Sequence, residues 1–151
     1  MRKLIILTIL IFGYIVSFSQ NYASCREFAL KKESEFFANN DYISDGNYYA
    51  KILGPGDMAQ VYKPFLRGNK YKIIALCGPN LNGITLQIKD YRGYRLIYES
   101  EKPDSLIVWE TTPKRSSNYI IRVSVPKNAN SEAKEDCVVL LVGFKRASKE
   151  Q

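Results

Sequence analysis

The 151-residue chain predicts a mainly β protein, a single antiparallel β-sandwich with one helix before it. Three observations carry that expectation. From about residue 48 the apolar residues recur every second position, the period of strands with one face on a core. Turn-forming residues interrupt those runs at short, regular intervals. A period near 3.6 is confined to one stretch before them.

The chain begins with Arg2 and Lys3, then an almost wholly apolar run from Leu4 to Val16, then Ser17-Phe18-Ser19. That order of charge, apolar core and small residues is the pattern of a secretory signal peptide over 1–19, with a mature start at Gln20. As a helix, the apolar run spans roughly 20 Å, short for a hydrocarbon core of about 30 Å. An uncleaved anchor is one alternative. A lipoprotein signal is another, with Ala23-Ser24-Cys25 as its lipobox, although Tyr22 stands where Leu is usual. The address is exported: periplasm, cell surface or extracellular space. No later apolar run suits a membrane span.

Removal of 1–19 leaves 132 residues, enough for one domain with its own core. The signal segment holds two of the 22 Lys and Arg and none of the 15 Asp and Glu, so the mature charge is +5. That modest basicity suits anionic neighbours without specifying nucleic acid, and outside the cytoplasm an acidic polysaccharide or lipid headgroup is the nearer candidate.

Residues 20–45 read as helix and linker. Ser24-Cys25-Arg26-Glu27 has the form of a capping box, with Ser24 as N-cap. Glu27 and Lys31 are spaced for an i,i+4 pair. Cys25, Phe28, Ala29 and Phe36 share one face, and Asn39-Asn40 supplies a stop. On that face Cys25 is expected to be a free, buried thiol.

Residues 46–146 read as the sandwich, and 147–151 as a polar tail. Strands are expected near Tyr49–Leu53, Ala59–Leu66, Lys70–Cys77, Ile84–Lys89, Tyr94–Tyr98, Leu106–Glu110, Tyr119–Val125 and Cys137–Val142. The last run is apolar on both faces, which predicts a central strand. Gly54-Pro55-Gly56-Asp57, Arg67-Gly68-Asn69 and Gly78-Pro79-Asn80 read as turns, and Asp90-Tyr91-Arg92-Gly93 as a hairpin tip. Pro126 to Lys134 reads as a longer polar loop. A β-barrel is the alternative closure.

Export permits a disulfide, and three cysteines leave one thiol over. Cys77 ends one predicted strand and Cys137 begins another, so Cys77–Cys137 is the expected bridge. That pairing would set Ala75 beside Val139 and Ile73 beside Leu141.

The chain has no histidine. Ser-His-Asp and Cys-His catalysis and His-based metal sites are thereby excluded. The cysteine spacing does not suit zinc, and no phosphate loop, Gly-x-Ser-x-Gly elbow or dinucleotide fingerprint occurs. No cofactor is expected. Asp57, Asp90, Glu99, Asp104 and Glu110 could serve a carboxylate-pair hydrolase. Asp41-x-x-x-Asp45-Gly46 could offer oxygens to calcium, or be a plain turn.

Eleven tyrosines are the positive hint. Tyr91 and Tyr94 flank the expected hairpin tip beside Arg92 and Arg95, and Tyr with Arg is a common binding pair. Trp109 is a further candidate, either as a sugar-stacking ring or as core. These five are the candidate site residues. The expected function is non-enzymatic binding of an exported protein or a polysaccharide. A carbohydrate-binding module and an inhibitor or immunity-type protein are the alternatives.

Residues 58–144 also resemble the bacterial pre-peptidase C-terminal β-sandwich. The resemblance rests on Phe65-Leu66-Arg67-Gly68-Asn69-Lys70-Tyr71, Leu86-Gln87-Ile88-Lys89-Asp90-Tyr91-Arg92-Gly93, Trp109, and Asn118-Tyr119-Ile120-Ile121-Arg122-Val123. It implies a jelly-roll-like sandwich and a noncatalytic module of the kind usually attached to secreted hydrolases. With only about 25 residues of expected helix and linker before the sandwich, a free-standing exported binding protein is expected rather than such a tail module.

Overall fold

A computed structural model describes residues 22–92, 95–127 and 134–146. The expected signal segment, Gly93, Tyr94, the middle of the Pro126–Lys134 loop and the polar tail lie outside them. Helix α1 covers residues 22–37. Eight strands follow: β1 (Ile43–Leu53), β2 (Met58–Phe65), β3 (Asn69–Cys77), β4 (Thr85–Asp90), β5 (Leu96–Glu99), β6 (Leu106–Thr111), β7 (Ser117–Ser124) and β8 (Asp136–Arg146). They form two four-stranded antiparallel sheets, ordered β1-β8-β3-β6 and β2-β7-β4-β5. That order is the wiring of a jelly roll. The sheets stay separate, so the sandwich is found and the closed barrel is not.

Alternation explains the core. Tyr71, Ile73, Ala75 and Cys77 of β3 point between the sheets and meet Leu86 and Ile88 of β4 and Tyr119, Ile121 and Val123 of β7. Phe65 lies stacked between Tyr71 and Tyr119, with ring centroids 4.1 and 4.7 Å away. β8 is central, between β1 and β3, as its doubly apolar pattern requires.

A third layer explains the other face of β8. Cys25, Ala29 and Phe37 of α1 pack against Ile74, Leu76, Cys137, Val139 and Leu141 on the outside of the first sheet. The helix ends where expected: the Asn40 side-chain amide donates to the Phe36 carbonyl at 3.1 Å. Its start differs. Residue 22 is already helical, so Ser24 lies within α1 and is not its N-cap. Tyr22 and Ala23 accept helical geometry, and the helix runs through the Ser. β1 likewise begins at Ile43, before the expected Tyr49, and a bulge between Ser44 and Tyr48 had hidden its alternation.

The expected bridge is corrected. Cys25 joins Cys137, with an S–S distance of 1.99 Å and a Cα separation of 5.3 Å, and Cys77 is the free, buried thiol. The reason is register. Cys77 stands opposite Val138, not Cys137. Successive residues face opposite sides of a sheet, so Cys77 points into the inter-sheet core while Cys137 points out to α1. The same one-residue shift sets Ala75 opposite Leu140 and Ile73 opposite Val142. Burial pushes the Cys77 thiol up, away from a reactive thiolate.

Gly143 leaves room for the Phe37 ring of α1, because a Cβ there would run into it. Gly143→Ala is expected to destabilise the protein by about 1–3 kcal/mol, as overpacking does. A shift of the urea midpoint at unchanged slope would show it.

Candidate functional site

Because α1 covers the first sheet, the second sheet keeps the open outer face. Its outward residues run in registered rows across β2, β7 and β4. Gln60, Arg122 and Gln87 form one row, and Tyr62, Ile120 and Lys89 the next. The Gln60 amide oxygen accepts from the Arg122 guanidinium at 2.9 Å, the Gln60 amide nitrogen donates to the Tyr62 hydroxyl at 2.7 Å, and Gln87 donates to Glu99 of β5 at 2.9 Å. Ile120 is buried although it points outward, whereas Tyr62 is 58% exposed. The central row is built of amides and a guanidinium beside a tyrosine, with the exposed Met58 and Leu96 on the flanking rows of the same face.

At one end of this face three turns meet: 66–68 between β2 and β3, the β4–β5 turn, and 112–116 between β6 and β7. Asp90 joins the second of these to the third. It closes β4, is 4% exposed, and faces three donors. Ser117 Oγ donates to Oδ1 at 2.9 Å, the Arg92 amide donates to Oδ1 at 3.0 Å, and the Arg115 guanidinium approaches Oδ2 at 3.3 Å. The Arg92 amide, with Ser117 and Arg115, holds the Asp90 carboxyl below its ordinary range against the opposing effect of burial. The Arg67 amide donates to Ser116 Oγ at 3.0 Å, and the Tyr91 amide donates to the Asn118 carbonyl at 2.9 Å. The turns are therefore laced together through backbone groups, which leaves the side chains of Arg67 and Arg92 facing solvent.

The expected site residues separate into two groups. Tyr91, Arg92 and Arg95 lie together at this end and are exposed. Asp90 N–H donates to the Arg95 carbonyl at 2.9 Å, closing the turn. Tyr94 lies outside the described residues. Trp109 is elsewhere: half-buried on β6, stacked on Tyr98 of β5 at 5.3 Å, it packs against the inter-sheet core between the β5 and β6 edges. Sequence reasoning missed Tyr62, whose ring meets Tyr91 edge-on at 5.8 Å, and Arg67, Lys114 and Arg115. Alternation along β2 sets Tyr62 on its exposed face, but no local signal places it beside Tyr91. That needs β2, β7 and β4 to be neighbours.

The five candidate carboxylates do not converge. Asp57 and Asp104 lie in turns at the end opposite Asp90, and Asp57 accepts from the Gly54 amide at 3.0 Å. Glu99 lies on the outer face of the second sheet, and Glu110 on that of the first. Lys70 holds Glu110 at a pKa of about 2, with Tyr42 and Lys72 adding to the effect and burial opposing it. Asp41 and Asp45 go separate ways. Asp41 pairs with Lys145 at 3.3 Å, and Asp45, turned by Gly46 at φ 75°, pairs with the buried Lys63 of β2. Burial would lower the Lys63 ammonium, but Asp45 and Tyr49 outweigh it and leave it raised. Among the described residues no group of three or more Cys, Asp or Glu is placed to hold a metal, and no helix is long and apolar enough to cross a membrane.

No family model matches the chain, and no curated protein does. Among solved structures it is similar to the crystal structure of Aeromonas hydrophila PliG, a periplasmic lysozyme inhibitor of g-type lysozyme. The match has 13% identity and a TM-score of 0.48, and covers 66% of this chain and 85% of that one.

Proposed function

We propose that the protein is an exported, noncatalytic binding protein, and that it meets an anionic partner with the end of the sandwich that carries Tyr91, Arg92 and Arg115. The observation behind this reading is the Asp90 node. A buried carboxylate ties the β4–β5 turn to the 112–116 turn, and Ser116 ties that turn in its own right to Arg67 of the 66–68 turn, so exposed arginines and tyrosines are presented from a rigid base. Preorganised side chains lose little freedom on binding. The dispersed carboxylates and the absence of histidine support binding rather than hydrolysis.

The test compares capture from the native envelope fraction. Wild-type protein on a support is expected to retain a component at low salt that Tyr91→Ala/Arg92→Glu loses, while Lys31→Glu on α1 retains it. Identical retention by all three proteins would end this reading. If the retained component is an exported enzyme whose activity falls on binding, the inhibitor-type alternative gains its support.

A further inference from the structure

The described charges are not spread evenly over the molecule. At the Asp90 end, the three turns carry Arg67, Arg92, Arg95, Lys114 and Arg115, all exposed. The turns hold no acidic residue and Asp90 beside them is buried; Asp41 and Asp45, at the same end where β1 begins, are paired with Lys145 and Lys63. The opposite end carries Asp57, Glu101, Asp104, Glu135 and Asp136, with Lys102, Lys127 and Lys134 among them. Strand direction fixes this separation. β2, β4 and β6 all run toward the Asp90 end, so the turns after them gather there, and the turns after β1, β3, β5 and β7 gather at the other. A net charge of modest size thus becomes a strong local field at one pole.

Beside that pole lie Tyr62 and Tyr91, edge to face, and next to Tyr62 the row of Gln60, Arg122 and Gln87. Strands in a sheet stand about 4.8 Å apart, so this row offers evenly spaced planar groups over an extended strip. We infer that the Asp90 pole and the adjoining strip bind an acidic polysaccharide. The arginines would meet carboxylate or sulfate groups, the tyrosine faces would meet sugar rings, and the Gln60 amide with the Arg122 guanidinium would meet hydroxyls. A protein partner would centre on apolar surface; the exposed apolar groups here, Leu66, Tyr62, Tyr91 and Leu96, stand beside a row of amides and a guanidinium that suits hydroxyls. The inference rests on the binding reading above and narrows it to a ligand class.

Three soluble variants test it with polygalacturonate as the probe, neutral dextran as its uncharged counterpart, and phosphatidylglycerol vesicles as the alternative anionic surface. Arg67→Glu/Arg92→Glu reverses the pole. Lys102→Glu/Lys127→Glu makes the same change of net charge at the other end. Tyr62→Ala/Tyr91→Ala leaves charge untouched. Each variant is first matched to wild type by circular dichroism and thermal midpoint.

Wild-type protein is expected to bind polygalacturonate at low salt and to ignore dextran. Reversal of the pole should weaken binding about tenfold or more, and reversal of the far end by about twofold or less. The tyrosine pair should also cost about tenfold, with elution from a plain cation exchanger unchanged. No binding to polygalacturonate would overturn the inference, as would equal loss from both charge reversals. An intact affinity without the tyrosines would reduce it to ion exchange and overturn it too. Binding to the vesicles but not the polymer would assign the pole to a membrane surface. Salt-sensitive self-association would assign it to the acidic end of a second copy. If polygalacturonate fails while envelope capture still needs Arg92, only the ligand class falls. If capture is also indifferent to Arg92, the binding reading falls with it.

Discussion

Cys25→Ser is expected to lower the thermal midpoint by roughly 10–20 °C, because loss of this bridge removes up to about 4–5 kcal/mol. The two cysteines are 112 residues apart. Their bridge therefore restricts nearly the whole described chain in the unfolded state, which is where a disulfide acts most strongly. The native state loses as well. Cys25 is 2% exposed within the layer between α1 and the first sheet, and the bridge is the covalent anchor of that layer. Without it α1 is held only by contacts such as Ala29 and Phe37 on Val139 and Leu141. Cys137→Ser should match Cys25→Ser, and a reductant should bring wild type to the same midpoint. Cys77→Ala should cost only about 1 kcal/mol, the price of a small buried side chain, and leave the response to reductant intact. Melting curves of the three variants with and without reductant check this. A large effect of Cys77→Ala beside a small one of Cys25→Ser would restore the Cys77–Cys137 pairing and refute the register.

The contrast between those cysteines shows what a sequence can and cannot disclose. Alternation in Lys70–Cys77 and Cys137–Val142 revealed two strands, and the doubly apolar second run placed it centrally. These are local properties, legible one strand at a time. Which face Cys137 presents to its neighbour depends on register to a single residue, and register is decided by the whole sheet. The face apolar on β8 but not needed for the inter-sheet core was itself a clue to a covering layer. Cys25, Phe28 and Ala29 form the matching helical stripe, and together the two could have suggested the observed bridge. The site divides in the same way. Tyr91, Arg92 and Arg95 are neighbours in sequence and were visible as a unit. Tyr62, Arg67 and Arg115 join them only because jelly-roll wiring sets β2, β7 and β4 side by side. Asp90 appeared among candidate acids, but its burial and its three donors exist only once the turns have met. Trp109 illustrates the reverse: an aromatic that composition marks as a binding candidate is used at the sandwich edge, stacked on Tyr98.

Asp90→Ala is expected to destabilise the protein by about 3 kcal/mol at neutral pH, since it strands the partners of a buried ionised acceptor. The Ser117 hydroxyl and the Arg92 amide lose their acceptor, and Arg115, whose side chain is 66% exposed, turns to water instead. Asp90→Asn keeps the size and one oxygen, so it should fall between wild type and Asp90→Ala. The effect carries a pH signature of known sign. The native Asp90 carboxyl is held below its ordinary range, so the unfolded chain takes up a proton first as pH falls. Its contribution is then complete above the unfolded value, about 3.9, and is lost as pH drops through the lower native value. Glu110, held at about 2, acts in the same direction in both proteins. Urea midpoints measured from pH 7 down to pH 3 should therefore show the gap between wild type and Asp90→Ala steady above about pH 5 and narrowing below about pH 4. Function should fall further than the charge count implies. The variant keeps every exposed cation of the pole, yet the side-chain tie between the β4–β5 turn and the 112–116 turn is gone and only the Arg67–Ser116 and Tyr91–Asn118 bonds remain, so affinity for an anionic partner should drop although the local field is, if anything, more positive. A gap that stays constant to pH 3, or tighter anion binding by Asp90→Ala, would show that Asp90 does not hold these turns.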